Sequence, residues 1–311
     1  MHTQTAQTAA KESPARSGLK VGVVGVCGGW SSETLADRVA ELTNGPRLLV
    51  ELDQLRLDLP SGRAMYLGHD LSTFDGLLIK KLGQDYSADL LDRLEVLRYL
   101  AGRGVRVFSP PQAIAGLLNR LACTVTLQLS GIPMPDTTIT EDLEQALTAV
   151  SDYGVAILKP LYSTKARGML VLRPGPEARE ALLAHQRQNP VFYLQKAINV
   201  GERDLGVVFL GGEYLTTYAR TRKSGEWNTT TASGGRYLPF DPPREIIDLA
   251  QRAQEPFGLD FTCVDVALTE SGPYIFEVSA FGGFRGIKEA RGLDAARLYA
   301  QYALERISPR A

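Results

Sequence analysis

Two stretches near the C-terminal end of the chain, FTCVDVAL (Phe261 to Leu268) and PYIFEVSAFGGF (Pro273 to Phe284), flank Thr269, Glu270, Ser271 and Gly272. Their β-branched and aromatic content around a glycine turn predicts an antiparallel hairpin. Side chains alternate between faces along a strand, so pairing about Ser271 sets Asp265 opposite Glu277, with Ser279 two residues on along the same face. Two carboxylates about 5 Å apart repel by roughly 3 kcal/mol at an effective dielectric of about 20, and a divalent cation between them reverses the sign. The hairpin is therefore expected to hold magnesium. A solvated hairpin with two unrelated acids is the alternative that these residues alone leave open.

A chain of 311 residues exceeds one typical core and calls for two or three units. With 44% apolar residues, 22% charged residues and a net charge of -1, it has no general attraction for nucleic acid or an anionic membrane, and neither is expected as a partner. Cys27, Cys123 and Cys263 lie far apart within apolar runs and read as small core residues in a reducing compartment. His2, His69 and His185 are too scattered for a zinc pattern or a Ser-His-Asp set. With no signal peptide and no long apolar run, a cytoplasmic location is expected.

Residues 1–18 read as a disordered tail. Residues 19–110 form an open α/β unit: a strand at LKVGVVGV (Leu19 to Val26), a helix capped by Ser31 or Ser32 and running to Leu42, strands at Arg47 to Leu52 and Phe74 to Ile79, a helix from Asp89 to Arg103, and a strand at Val105 to Phe108. Residues 111–190 form a small α+β unit, with one helix from Gln112 to Ser130 ended by GIPMP, a helix from Glu141 to Tyr153, strands at Val155 to Leu158 and Met169 to Leu172, and a helix from Glu177 to Gln188. Residues 191–311 are richer in strands, at Phe192 to Gln195, Asp204 to Phe209, Tyr214 to Arg220 and the final hairpin, with helices from Pro243 to Phe257 and Leu293 to Arg306.

Lys159 ends the strand VAIL and precedes Tyr162, Ser163, Thr164, Lys165, Ala166, Arg167 and Gly168, after which MLVL resumes as strand. A small polar loop can wrap phosphate oxygens with backbone N–H groups while lysines supply charge; a hairpin with solvated basic residues is the competing reading. Gly25, Gly28 and Gly29 follow the first strand, but their spacing does not match a dinucleotide fingerprint, and tight-turn geometry explains them.

In order along the chain, FDGLLIKKLG with Lys81, Asn119-Arg120 before GIPMP, AILKP with STKARG, YLQKAI, GERDLGVVFLGGEYLTTYAR, EWNTTTASGG, CVDVAL and FEVSAFGGFRGI resemble the ATP-grasp superfamily, and closely its RimK-like branch of α-L-glutamate ligases, over about residues 20–307. The resemblance implies a pre-ATP-grasp α/β domain followed by two α+β subdomains that enclose ATP. It implies phosphate contacts from Arg120 and Lys159, a loop formed by Ser163, Thr164, Lys165 and Gly168 over the phosphates, and Gln195, Lys196 and Ile198 at the adenine. It further implies Asp204 near the ribose or acceptor, Arg220 near the transferred phosphate, and one or two Mg2+ ions, or Mn2+ in their place, on Asp265, Glu277 and Ser279. The implied reaction joins a small-molecule or peptide carboxylate to an amine through an acylphosphate, with Arg220 and Lys159 as the catalytic cations. Association between copies of the chain is compatible with it.

The sequence departs from the family pattern at five positions. Arg120 replaces a lysine, Ser279 replaces a metal-binding asparagine, Gly206 stands where an arginine is common, and Asn228 and Thr230 occupy positions that usually hold a basic residue and an asparagine. Two further readings follow from these changes: a nucleotide-binding regulatory protein without ligase activity, and a phosphotransferase acting on a hydroxyl. A dinucleotide oxidoreductase rests on Gly25 to Gly29 alone.

Overall fold

The computed structural model describes residues 18–164, 166–221 and 235–308. The expected tail up to residue 17, Lys165, Asn228 and Thr230 lie outside the described residues.

The apolar run at the start becomes β1 (Val21–Val24), followed by α1 (Trp30–Thr43), β2 (Leu49–Val50), the short strands β3 (Arg56–Asp58), β4 (Arg63–Tyr66) and β5 (His69–Asp70), then β6 (Gly76–Ile79), α2 (Asp89–Gly102) and β7 (Arg106–Phe108). β1, β2, β6 and β7 form a parallel sheet in the order β2-β1-β6-β7, and every residue of β1 and β6 is buried, as the continuous apolar runs require. The small antiparallel sheet β3-β4-β5 was not expected. Its strands are two to four residues long and carry Arg56, Asp58, Arg63 and Asp70, which hides any alternation of apolar and polar residues.

Two local expectations in this unit are corrected. Neither Ser31 nor Ser32 caps α1, which starts at Trp30 behind Gly29. The Ser32 hydroxyl instead accepts from the backbone N–H of Val26 at 3.3 Å, and a side chain at Gly25 would collide with it. Cys27 is not a core residue. It is exposed on the turn after β1, because Gly28 adopts a positive φ and the chain has already left the sheet. Cys123 and Cys263 are buried.

The helix expected from Gln112 to Ser130 is two helices, α3 (Pro111–Leu118) and α4 (Arg120–Leu129), broken at Asn119. Asn119 is extended, and its side chain accepts from the N–H groups of Leu121 and Ala122, which makes it the N-cap of α4. There follow β8 (Thr137–Thr140), α5 (Leu143–Tyr153), β9 (Ala156–Leu158), β10 (Leu170–Leu172), α6 (Pro176–Gln186) and β11 (Phe192–Lys196). These strands make an antiparallel sheet in the order β10-β9-β11-β8, so β11, at the opening of the last expected unit, is hydrogen-bonded into the middle of the preceding sheet.

The remainder is β12 (Arg203–Leu210), β13 (Glu213–Thr221), β14 (Arg236–Pro239), α7 (Arg244–Gln254), β15 (Phe261–Thr269), β16 (Gly272–Ser279), α8 (Phe284–Arg291) and α9 (Ala295–Glu305). Its antiparallel sheet runs β14-β13-β12-β15-β16. Among the described residues, three apolar clusters hold the chain together. One joins the first unit to α3, α4, α7 and the last sheet, through residues such as Leu97, Leu127 and Val264. A second joins Val23, Leu78 and Phe108 to Phe261, Phe284 and Tyr299. The third draws its members only from residues 143–194, including Leu158, Leu182 and Phe192.

Candidate active site

The hairpin closes more tightly than the sequence suggests. Thr269 pairs with Gly272, leaving Glu270 and Ser271 as a two-residue loop, with Gly272 at a φ of +114° where a side chain is disfavoured. The turn is therefore not centred on Ser271, and the ladder from that turn to the Val266–Ile275 pair would, if continued, set Asp265 opposite Phe276. A β-bulge intervenes. Phe276 is the extra residue, and beyond it Asp265 faces Glu277 and Cys263 faces Ser279. The expected acid pair exists, but a bulge produces it. The same bulge brings the Phe276 ring to 5.5 Å from the Lys159 ammonium across the cleft.

The neighbouring strands add a cation to this face. β12 and β13 pair Asp204 with Arg220 and Gly206 with Tyr218, while Gly206 also faces Asp265 on β15. The Arg220 guanidinium donates from Nε and Nη2 to the two oxygens of Asp204, both at 2.9 Å, and Nη2 lies 3.0 Å from Asp265 Oδ2. Burial works against the Arg220 charge, but Asp265 and Asp204 raise its pKa well above the ordinary value. Burial also raises the pKa of the Asp265 carboxyl, with Asp204 and Glu277 adding to the shift and Arg220 opposing it. Gly206 needs its missing side chain, since a Cβ there would meet the Tyr218 ring at 2.5 Å.

The opposite wall comes from α4 and the β9–β10 loop. The Asn119 cap turns the chain so that Arg120 leaves the first turn of α4 toward this face. Its Nε donates to the Pro160 carbonyl at 3.2 Å, its Nη2 to the Ser163 hydroxyl at 3.3 Å, and its Nη1 lies 3.7 Å from Glu277 Oε2. Lys159 is 9% exposed and donates to Gln195 Oε1 at 2.5 Å; Gln195, 3% exposed, donates in turn to the Thr137 hydroxyl at 3.0 Å. Burial and then the nearby Arg120 charge lower the Lys159 pKa from 10.5 to about 7, with Glu277 opposing. Ser163, Thr164 and Gly168 lie on the loop after Lys159, where Gly168 has a φ of +68° and its backbone closes on Pro160.

Arg120, Lys159, Ser163, Gln195 and Glu277 are thus linked by direct contacts or shared neighbours, and Asp204, Arg220 and Asp265 form a second linked set that meets the first at the Asp265–Glu277 pair. Lys196 and Ile198 stand apart from both. Lys196 lies 3.3 Å from Asp136, and the two residues line a groove with Thr269, Glu270 and Tyr274 at the hairpin tip. The sequence reading missed one buried cation. The resemblance points to Lys81, yet the residue driven into the interior is Lys80, one position past the end of β6. Its only trace in the sequence is a lysine directly continuing a run buried on both faces.

Among the described residues, no group of three or more His, Cys, Asp or Glu side chains could hold a metal ion. Two carboxylates and the Ser279 hydroxyl do fit magnesium, which retains waters and takes phosphate oxygens to complete an octahedron. The donor chemistry is hard oxygen throughout, and Arg120, Lys159 and Arg220 surround it with positive charge suited to a triphosphate.

Comparison with known proteins gives the family and the fold. A model of the RimK-like ATP-grasp domain matches residues 118–302. A tetrahydromethanopterin:alpha-L-glutamate ligase of Methanosarcina acetivorans is 25% identical over 260 residues, covering 75% of this chain and 80% of that protein. A RimK domain ATP-grasp protein from Sphaerobacter thermophilus superposes with a TM-score of 0.69 at 22% identity, covering 91% of this chain and 99% of that one. The ATP-grasp ligase PsnB, solved with a phosphomimetic precursor variant, Mg and ADP, superposes with a TM-score of 0.70 at 16% identity over 93% of this chain and 98% of that one.

Proposed function

The chain belongs to the RimK-like ATP-grasp family, and from that premise we propose that it is an ATP- and magnesium-dependent ligase joining a carboxylate to an amine. One observation carries the assignment of residues. The Arg120 side chain reaches both the loop after Lys159 and the acid pair of the last sheet, so cations and acids from two separate sheets converge on one cleft.

Arg120 and Lys159 bind the phosphates, and the loop containing Ser163, Thr164, Lys165 and Gly168 folds over them and excludes water. Gln195 orients Lys159 from behind, while Lys196 and Ile198 receive the adenine in the groove beside the hairpin tip. Asp265, Glu277 and Ser279 would hold magnesium, or manganese in its place, and the bound metal would supply charge neutralisation at the transferred phosphate. A carboxylate oxygen of the first substrate attacks the γ-phosphorus and ADP departs, giving an acylphosphate. The amine then attacks the acyl carbon, the new C–N bond forms as the nitrogen gives up a proton to the departing phosphate, and inorganic phosphate leaves with the C–O bonding pair. Arg220, held by Asp204, stabilises the charge that develops on the phosphate. No side chain acts as a nucleophile.

One relative named above is an alpha-L-glutamate ligase and PsnB is complexed with a precursor peptide, and a small-molecule or peptide carboxylate with an amino-acid amine is the substrate class proposed for this chain. No helix among the described residues is long and apolar enough to cross a membrane. The test is incubation with ATP, magnesium and a panel of carboxylates, peptides and amino acids, scoring ADP, free phosphate and new mass together. A ligase yields ADP and phosphate in step with an adduct. A phosphorylated product without free phosphate would make the protein a kinase, and bound ATP with no turnover across the panel would make it a nucleotide-binding regulator.

A further inference from the structure

Lys80 is 3% exposed, and its ammonium donates to two backbone carbonyls of one loop, that of Phe281 at 3.2 Å and that of Gly282 more closely. It also sits 4.2 Å from the centre of the Phe284 ring and 5.6 Å from that of Phe261. Among the described residues, no carboxylate lies within 4.0 Å of it, so carbonyl oxygens and ring faces alone receive its positive end. Burial first, and then the neighbouring Lys81 charge, lower its pKa to about 7. A buried cation without an acid is costly, and a methionine of similar length would fill the same space without that cost. What the ammonium supplies and a methionine does not is a pair of directed hydrogen bonds.

Those bonds fall on a particular piece of backbone. The loop 280–283 runs directly from Ser279 to the first turn of α8, and its Phe281 N–H donates to the Ser279 hydroxyl at 3.3 Å. Gly282 is pressed so closely on β15 that a side chain there would meet Cys263 Cβ at 2.9 Å and the Phe261 ring at 3.2 Å. At the far end, the N–H of Phe284 donates to Ser31 of α1 at 3.4 Å. The loop is therefore pinned by β15 on one side and by the first α/β unit on the other.

We propose that Lys80 is a positioning residue for the metal-binding end of β16: its bonds to Phe281 and Gly282 hold the loop in the path that presents the Ser279 hydroxyl beside Glu277. The inference rests on the reading of Asp265, Glu277 and Ser279 as the magnesium site. It makes the first unit a partner in metal binding although that unit supplies no ligand.

The test follows thermal protection of the full-length protein by ADP while Mg2+ is titrated, with a parallel series in EDTA. In Lys80→Met, the Mg2+ concentration giving half protection should rise about 10-fold or more, as expected for loss of a group that orients a ligand, while ADP protection in EDTA stays as in the wild type. Ile79→Val, a core loss one residue away, should lower the melting temperature and leave the Mg2+ dependence unchanged. Should Lys80→Met fail to fold, Lys80→Leu, uncharged and likewise without a donor, carries the same comparison and the same expected rise. A half-protection concentration within about twofold of wild type in a folded Lys80 variant overturns the proposal alone. A wild-type protein whose ADP protection ignores Mg2+ overturns the magnesium site and the proposal with it.

Discussion

Lys159 has a titration that should be visible in nucleotide binding. Its folded-state pKa lies near 7 and an unfolded lysine titrates near 10.5, so across that window the unfolded chain holds more protons and stability rises with pH. On the proposed site, phosphate bound beside Lys159 would reverse the local preference. At about pH 8 the free protein has a largely neutral Lys159, and binding Mg-ATP should draw in about one proton, seen as a calorimetric heat that depends on the ionisation enthalpy of the buffer. Lys159→Met should bind with a buffer-independent heat; equal uptake in both proteins would remove Lys159 from the phosphate site. Arg220 carries a different prediction. Arg220→Met leaves Asp204 and Asp265 packed together without their cation, and loss of one partner from a buried ion pair typically costs about 3–5 kcal/mol. The deficit, measured by urea unfolding, should shrink as the pH falls and Asp265 takes up a proton, because its folded-state pKa is already raised.

Helix boundaries and strand irregularities do the positioning one level up. The helical spacing of residues 112–130 is real, and it conceals a break that only the extended backbone at Asn119 reveals. Asparagine is tolerated inside a helix and favoured at its start, so composition does not choose between these roles; the Arg120 N–H bond to the Leu161 carbonyl does. Asn119→Ala should lower stability by about 1 kcal/mol in chemical denaturation, the usual value of an N-cap, and raise the KM for ATP because Arg120 leaves the same turn. The bulge at Phe276 belongs to the same scale. Alternation along the strands names Asp265 and Glu277 as facing residues, but the two-residue turn would misalign them by one position, and the extra residue restores the pair. Gly282→Ala should test how tightly the adjoining loop is held. Its methyl group meets β15, and a cost of about 1–3 kcal/mol is expected from overpacking.

Across the whole molecule, the apolar clusters divide unevenly. The first α/β unit and the last sheet share two of them, whereas the cluster of residues 143–194 draws on neither. The central sheet is tied to the rest by polar contacts such as the Thr124–Tyr193 hydroxyl pair at 2.8 Å and the bond from Arg120 Nε to the Pro160 carbonyl at 3.2 Å. Leu182 is fully buried within that separate cluster. Leu182→Ala should therefore cost about 2–5 kcal/mol in hydrogen-exchange protection of residues 143–194 while leaving that of β15 and α9 unchanged. Uniform loss of protection throughout the chain would show instead that the three clusters unfold as one.

Legible in the chain alone were the elements whose chemistry is local: the buried parallel strands, the α4 to β8 turn at GIPMP, the polar loop between β9 and β10, and the order of motifs that resembles one family. Tertiary structure decided the rest. Lys80 and Lys81 are adjacent and chemically identical, and only the packing of Phe261, Phe284 and the loop 280–283 against the end of β6 selects which of them is buried. The acids behave likewise. Asp204 lies some sixty residues from Asp265, and the raised pKa of the Asp265 carboxyl depends on the low dielectric, the neighbouring carboxylates and the guanidinium that strand pairing brings around it, a field that no stretch of residues contains before it folds.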